Sequence, residues 1–239
     1  MCFLQNSTSF NSRFLDELPE TEKVLLRPAL QSVNFKRAEV LYQFDGTMSH
    51  VYFPHQSVVS VVTGLKDGRE VEALTIGSEG MVGLGIFLGV TISTQRVVVQ
   101  IPDGAMRMER ADFLAALPSC PALVAQLNRY AEATLSAVAY SGACTAVHPL
   151  LGRLARWLLS SQDRVGRASF TLTQEFMAQM LAVRRPSVSV VASALQKSGC
   201  ITYHRGILTI VDREALEAAA CECYGAIRER FEAVYFPSR

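Results

Sequence analysis

The chain of 239 residues has no long hydrophobic run. Its longest apolar-looking stretch, Met81 to Val90, is punctuated by glycine and falls far short of the ~20 residues that cross a bilayer, so no membrane partner is expected. The first residues, Met1-Cys2-Phe3-Leu4-Gln5-Asn6, lack the basic start of a secretory signal, which points to a cytoplasmic location. Six cysteines (Cys2, Cys120, Cys144, Cys200, Cys221 and Cys223) show no paired framework and read as reduced thiols. The closest pair, Cys221-Glu222-Cys223, would on a helix point its thiols about 200° apart, a poor geometry for chelation. Histidine is scarce too: His50 and His55 are separated by a stretch containing Pro54, His148 precedes Pro149 at a hinge or helix entrance, and no His-x-His pair occurs. No metal site and no cofactor are therefore expected. Catalytic triads, paired acid/base carboxylates and Cys/His nucleophile pairs cannot be assembled by spacing, so an enzyme is not expected either.

What is present describes a globular protein with room for two cores, 49% apolar and 19% charged. The net charge of +1 conceals an asymmetry: residues 1–149 hold 11 basic and 14 acidic side chains, whereas residues 150–211 hold 8 and 2, a local +6. An excess of that kind supplies sequence-independent attraction to phosphates, with Arg153, Arg156, Arg164, Arg167 and Lys197 as contributors. A solvated basic face with no partner is the plain alternative.

The most informative stretch is Leu172 to Ile201, which reads as two short helices around a tight turn. Thr173 can cap the first, with Phe176, Met177, Met180 and Leu181 on its apolar side and Ala178 small enough for a close crossing. Ala182-Val183-Arg184 supply the turn. The second helix carries Pro186 in its first turn, buries Val188, Val191, Ala192 and Leu195, and stops at Lys197-Ser198-Gly199. Ile201 to Ile210 then form two strands about a His204-Arg205-Gly206 turn, a wing. Such a unit sets the start of its second helix in the major groove of DNA. The candidate DNA-contacting residues are thus Thr173, Arg184, Arg185, Ser187, Ser189, Lys197 and Arg205, with Arg185 placed for a bidentate contact with guanine.

Upstream, short strand-like runs alternate with turn signals from Asn34 to Met108, the pattern of a sandwich or roll. Between the two regions, Pro121 to Cys144 is alanine-rich and helix-forming. Leu123, Leu127, Tyr130, Thr134 and Val138 recur on it at spacings of three and four, a face suited to a partner helix, although an ordinary core helix would have the same pattern.

Leu150 to about Leu216 resembles the winged helix of the Crp/Fnr superfamily of bacterial transcription regulators. The resemblance rests on the leading helix around Arg153 to Leu159, the Leu172-Thr173 entry, Ala178, the turn, Arg185, Val188, Leu195 and the hairpin after Ile201. It extends to the upstream region, similar to that superfamily's sensory beta-roll, and to the central helix, similar to its dimerisation helix. The resemblance implies an α+β fold: an N-terminal double-stranded beta-helix of the cyclic-nucleotide-binding type over 1–120, a central dimerisation helix over 121–147, and a winged helix-turn-helix over 148–239. It implies a homodimer that binds a palindromic site in double-stranded DNA, and RNA polymerase as a further partner where the regulator activates. The alternative is a protein-interaction or small-molecule-sensing module whose helix-turn-helix no longer reads DNA.

Departures from the superfamily pattern are specific. The catabolite activator branch has a glutamate and a second arginine on the recognition helix where Pro186 and Val190 stand here, so its DNA preference does not transfer. Gly77 to Gly83 sits at the phosphate cassette, yet Leu84 and Ser93 occupy the places of the ribose-binding glutamate and of the arginine-serine pair, with Arg96 on the following strand. A buried phosphate with no facing cation is costly, so cyclic AMP is not expected to bind in the familiar way. Oxygen sensors of the superfamily hold an iron–sulfur centre on an N-terminal cysteine cluster. Here Cys2 stands alone at that end, and no such centre is expected.

Overall fold

A computed structural model describes residues 9–236. Cys2 and the first six residues, read above for a secretory signal, lie outside the described residues. The described chain opens with short helices α1 (Arg13–Asp16) and α2 (Glu20–Leu26) and then builds a roll from seven strands: β1 (Gln31–Asn34), β2 (Val40–Tyr42), β3 (His50–Pro54), β4 (Val58–Gly64), β5 (Glu70–Ile76), β6 (Arg96–Ile101) and β7 (Gly104–Glu109). Helix α3 (Leu84–Phe87) interrupts the roll between β5 and β6, and α4 (Arg110–Ala116) follows it. The strands form two antiparallel sheets, in the orders β1-β7-β3 and β2-β6-β4-β5.

Val58 to Val62 on β4 are all buried, a pattern that needs cover on both faces of the sheet. The alternation of side chains supplies it. Val59 and Val61, with Val97 and Val99 of β6, face the roll interior beside Phe14, Phe53 and Met81. Val58, Val62, Val98 and Ile101 face outward and pack with Leu154, Trp157 and Leu158 of α6 (Leu150–Val165). The winged helix thus has part of its hydrophobic core on the back of the roll's sheet.

After α6 come β8 (Ser169–Thr171), α7 (Gln174–Met180), α8 (Arg185–Lys197), β9 (Ile201–His204) and β10 (Ile207–Ile210), and the wing is a three-stranded sheet of order β8-β10-β9. The expected hairpin is β9-β10; the additional strand β8 is only three residues long, below the length at which alternation can be read. Helices α9 (Arg213–Ala219) and α10 (Cys223–Tyr235) end the described chain. The last helix touches the winged helix through Tyr224, which lies in the second core and donates to Asp163 of α6, but most of its apolar face turns elsewhere. Cys223, Ile227, Phe231 and Val234 join the first core, against the central helix α5 (Pro121–Val147). Arg13 holds Glu232 through paired bonds of 2.7 and 2.8 Å, Arg129 donates to the Val234 carbonyl, and the Tyr235 hydroxyl donates to the Glu79 carbonyl. The C-terminal helix therefore straps the chain end onto α1 and α5.

A polar layer crosses the sheet where α6 docks. Ser60 Oγ lies 2.6 Å from Glu72 Oε2 and 3.0 Å from Gln100 Oε1, Gln100 Nε2 donates to Ser161 Oγ, and Trp157 Nε1 donates to Glu72 Oε1 at 2.7 Å. Burial pushes the Glu72 carboxyl up to about 7, against the lowering by the Ser60 and Trp157 hydrogen bonds.

The folded protein then binds more protons than the unfolded chain between the ordinary carboxylate value of 4.5 and about 7, so stability falls as pH rises through that window and levels off above it. Urea unfolding between pH 5 and 8 is expected to record a loss on the order of 2 kcal/mol. Glu72→Gln keeps the donor geometry and flattens the profile; an unchanged profile would remove Glu72 as its source.

Candidate nucleic-acid interface

Thr173 caps α7, its Oγ1 accepting from the Phe176 amide at 3.2 Å. Met177, Ala178 and Met180 are buried under it, and the chain then reverses at Ala182, whose φ of +54° is left-handed. Helix α8 starts at Arg185 with Pro186 in its first turn, where a missing N–H costs no helical bond. Val188, Ala192 and Leu195 fix its inner face in the second core, and Gly199, at φ +79°, takes the chain out. Arg184, Arg185, Pro186, Ser187, Val190, Ala194 and Lys197 remain exposed along one side.

The wing lies beside α8. Arg205 and Gly206, at φ +49° and +80°, form a two-residue turn of the kind that matches strand twist and requires left-handed backbone at both positions. The wing is fixed in place: Tyr203 Oη donates to the Leu172 carbonyl, the Leu172 amide donates to the Gly206 carbonyl, and the Tyr203 amide donates to Gln196 Oε1. Among the described residues, Arg184, Arg185, Lys197 and Arg205 have no ion pair and no side-chain hydrogen bond. Four cations free of internal partners thus surround one exposed helix and one hairpin tip.

Other sequence candidates are placed differently. Ser189 is half-buried and donates to Gln174 Oε1 at 2.6 Å, so it braces α8 against α7 rather than facing outward. Arg153 is buried and donates to the Leu181 carbonyl, and Arg164 pairs with Glu79 at 2.7 Å. Those two cations hold the winged helix together and onto the roll; sequence counting of basic residues cannot distinguish them from the exposed ones. Arg167 is exposed.

The central helix corrects the expected dimer face. Leu123, Leu127 and Tyr130 are buried to 1% exposure or less within their own chain, and Tyr130 and Thr134 line a cavity of the roll. Of the five positions only Val138 is exposed. The outward side instead carries Asn128, Glu132, Leu135, Ala139, Gly142 and Ala146, all exposed and spaced alternately by four and three. Leu135 is 74% exposed. The larger side chains at spacings of three and four lie on the core face, whereas half of the outward seam, Ala139, Gly142 and Ala146, is small.

The roll cavity, about 280 Å³, is lined by Tyr42, Met48, Leu74, Met81, Leu84, Ser93 and neighbouring side chains, none of them charged among the described residues. Leu84 opens α3, Ser93 Oγ donates to the Gln95 carbonyl, and Arg96 is bound to Glu70 in a two-pronged ion pair on β6 and β5. The cation nearest in sequence is therefore already neutralised.

The structure overturns the geometric ground for dismissing the cysteine pair. Cys221 lies in the link between α9 and α10, after Ala220 in extended conformation, and only Cys223 is helical. Both thiols turn towards Cys144 and His148 at the end of α5, so that the four ligating atoms lie within 4.8 Å of one another.

Residues 152–219, from α6 to the end of α9, match the Crp-like helix-turn-helix domain. No protein of curated function matches the sequence. Among solved structures, the chain is similar to FixK2 from Bradyrhizobium japonicum (TM-score 0.68, 16% identity, 80% of this chain and 98% of that one). It is also similar to a CRP-family transcriptional regulator from Thermus thermophilus (TM-score 0.66, 23% identity, 79% and 96%). A third is the c-di-GMP responsive global regulator CLP from Xanthomonas campestris (TM-score 0.66, 12% identity, 81% and 100%). The roll, the long central helix and the winged helix together are the Crp/Fnr fold, and residues 152–219 match the Crp-like helix-turn-helix domain.

Proposed function

We propose that the protein is a sequence-specific DNA-binding transcription regulator that acts as a homodimer on a palindromic site, without cyclic AMP. The observation that carries this reading is the set of exposed, internally unpaired cations, Arg184, Arg185, Lys197 and Arg205, around α8 and the wing. Arg185 at the helix start reads a guanine edge, and Arg184, Ser187, Lys197 and Arg205 hold phosphates. Thr173 keeps its hydroxyl proton free for a phosphate oxygen while its lone pair caps α7. Val190, 69% exposed on the reading side, offers an apolar contact to a thymine methyl where the catabolite activator branch has arginine.

A second copy of the chain fits the outward seam of α5. Alternation of four and three residues over Asn128 to Ala146 is the coiled-coil repeat, and the small Ala139, Gly142 and Ala146 allow close approach. Two copies joined there present their α8 helices to half-sites one turn apart, about 34 Å. RNA polymerase is a partner where the protein activates. The uncharged cavity beneath Tyr130 supports independence from cyclic AMP, because a cyclic phosphate there would be a buried charge without a partner. An effector for that cavity would be largely apolar.

Three outcomes test the reading. With a duplex selected from random DNA, fluorescence anisotropy is expected to give about a 10- to 100-fold loss of preferred-site affinity for Arg185→Ala, with little change on random competitor. Arg184→Ala weakens both and reduces the salt slope by about 1 per protomer. Equal loss on both duplexes for the two variants would deny Arg185 a reading role. In sedimentation at micromolar concentration the wild type is a dimer and Leu135→Glu a folded monomer; a monomeric wild type with operator DNA present would contradict the assembly. Calorimetry with cyclic AMP is expected to give no stoichiometric binding, and a tight one-to-one complex would refute that part.

A further inference from the structure

The end of α5 and the link that follows α9 converge on one point. Cys144 and His148 are four residues apart, one turn of the α5 terminus, and Cys221 and Cys223 flank Glu222 at the entrance to α10. Cys144 Sγ lies 3.4 Å from Cys221 Sγ, Cys223 Sγ lies 3.6 Å from His148 Nδ1, and all four ligand atoms are within 4.8 Å of one another. In a tetrahedron with zinc–sulfur bonds of about 2.3 Å and a zinc–nitrogen bond of about 2.0 Å, sulfur–sulfur edges are about 3.8 Å and sulfur–nitrogen edges about 3.5 Å. Small adjustments of side chains suffice to reach that figure. Cys144 and Cys223 are buried, and Cys221 and His148 partly so, which is the closed setting of a structural ion.

The surroundings fit a metal ion as well. His148 Nε2 faces Glu222 Oε1 at 3.1 Å, so the carboxylate can hold the proton on Nε2 and leave the Nδ1 lone pair directed at the thiols. A carboxylate behind a histidine is the usual support of a metal-bound imidazole. Three thiolates and a divalent ion carry one net negative charge, and the Arg156 guanidinium, whose charge reaches both Cys144 and Cys221, offsets it. Gly152 makes the convergence possible. A Cβ there would stand 3.3 Å from the Cys221 amide nitrogen, and the Cys221 amide donates to the Gly152 carbonyl, so the link lies directly on α6.

We propose that Cys144, His148, Cys221 and Cys223 bind one tetrahedral transition-metal ion, with Zn2+ the ion suited to three thiolates and one imidazole. Four ligand atoms this close enclose a single ion; the cysteines of an iron–sulfur cluster bind different irons and stand further apart. Cys144 and His148 precede residues 152–219 and Cys221 and Cys223 lie just beyond them, so all four ligands lie outside the matched helix-turn-helix domain. The ion joins the last turn of α5 to the α9–α10 link across His148-Pro149, where the central helix ends and the winged helix begins. It fixes the angle between them with bonds stronger than the packing at that point.

The test uses the full chain, purified under reductant, stripped with a chelator and titrated with Co2+. One ion per chain and the intense visible absorption of tetrahedral thiolate cobalt are expected, displaced by Zn2+. Cys223→Ser and His148→Ala abolish that spectrum, Glu222→Ala weakens cobalt binding about 10- to 100-fold, and Cys200→Ala, remote from the cluster, leaves it unchanged. Chelation lowers the midpoint of thermal unfolding. Natively folded wild-type protein that takes up no stoichiometric cobalt overturns the proposal, as does a Cys144–Cys221 disulfide that persists under reductant. The titration on the wild type decides the matter even where a variant fails to fold. No readout involves DNA, so this proposal and the proposed DNA binding fail separately.

Discussion

The sheet β2-β6-β4-β5, buried on both faces, is the constraint from which the arrangement of the molecule follows. Its inner valines close the roll, and its outer ones form part of the core under α6, so the winged helix cannot leave the roll without exposing Val58, Val62 and Val98. Apolar packing alone would tolerate sliding. The layer of Ser60, Glu72, Gln100, Trp157 and Ser161 does not, because each group needs a particular partner, and a buried polar group left unpaired costs about 1–3 kcal/mol. Arg164 with Glu79 and Gln179 with Glu70 extend the same docking surface.

Two further devices hold the ends of the chain to this frame. The α10 strap returns the C-terminal segment to α1 and α5, and the cluster of three cysteines and a histidine lies where that strap leaves the winged helix. The direction in which α8 faces is therefore set by the sheet, by the α5–α6 junction and by the strap together. On the proposed function, these three are the places through which the roll acts on α8.

Much of this was legible in the sequence, for identifiable reasons. Turn chemistry and helical spacing pointed to α7, α8 and the wing, because Thr173, Pro186, Gly199 and Gly206 each impose one local conformation. The roll was visible from strand and turn alternation. What was not legible depends on which of two faces is covered. Leu123, Leu127 and Tyr130 have the spacing of a partner-facing stripe, but α10, which no pattern in the sequence assigns to α5, belongs to the core around them. Arg153, Arg164 and Ser189 are polar residues on amphipathic helices, and only tertiary packing turns them inward. The convergence of Cys144, His148, Cys221 and Cys223 was not legible because Cys221-Glu222-Cys223 reads as helix, whereas the helix begins at Cys223 and Ala220 is extended. A Cys-x-x-x-His pair at the end of a long helix was the signal available.

The proposed regulation depends on α8 entering the major groove as one of a symmetric pair. Methylation-interference footprinting on a duplex selected by the protein from random DNA tests it most directly. Two patches of guanine contact are predicted on one face of the duplex, about 34 Å apart, with the guanine interference lost in Arg185→Ala. A single patch, contacts confined to the minor groove, or no selected sequence at all would contradict it.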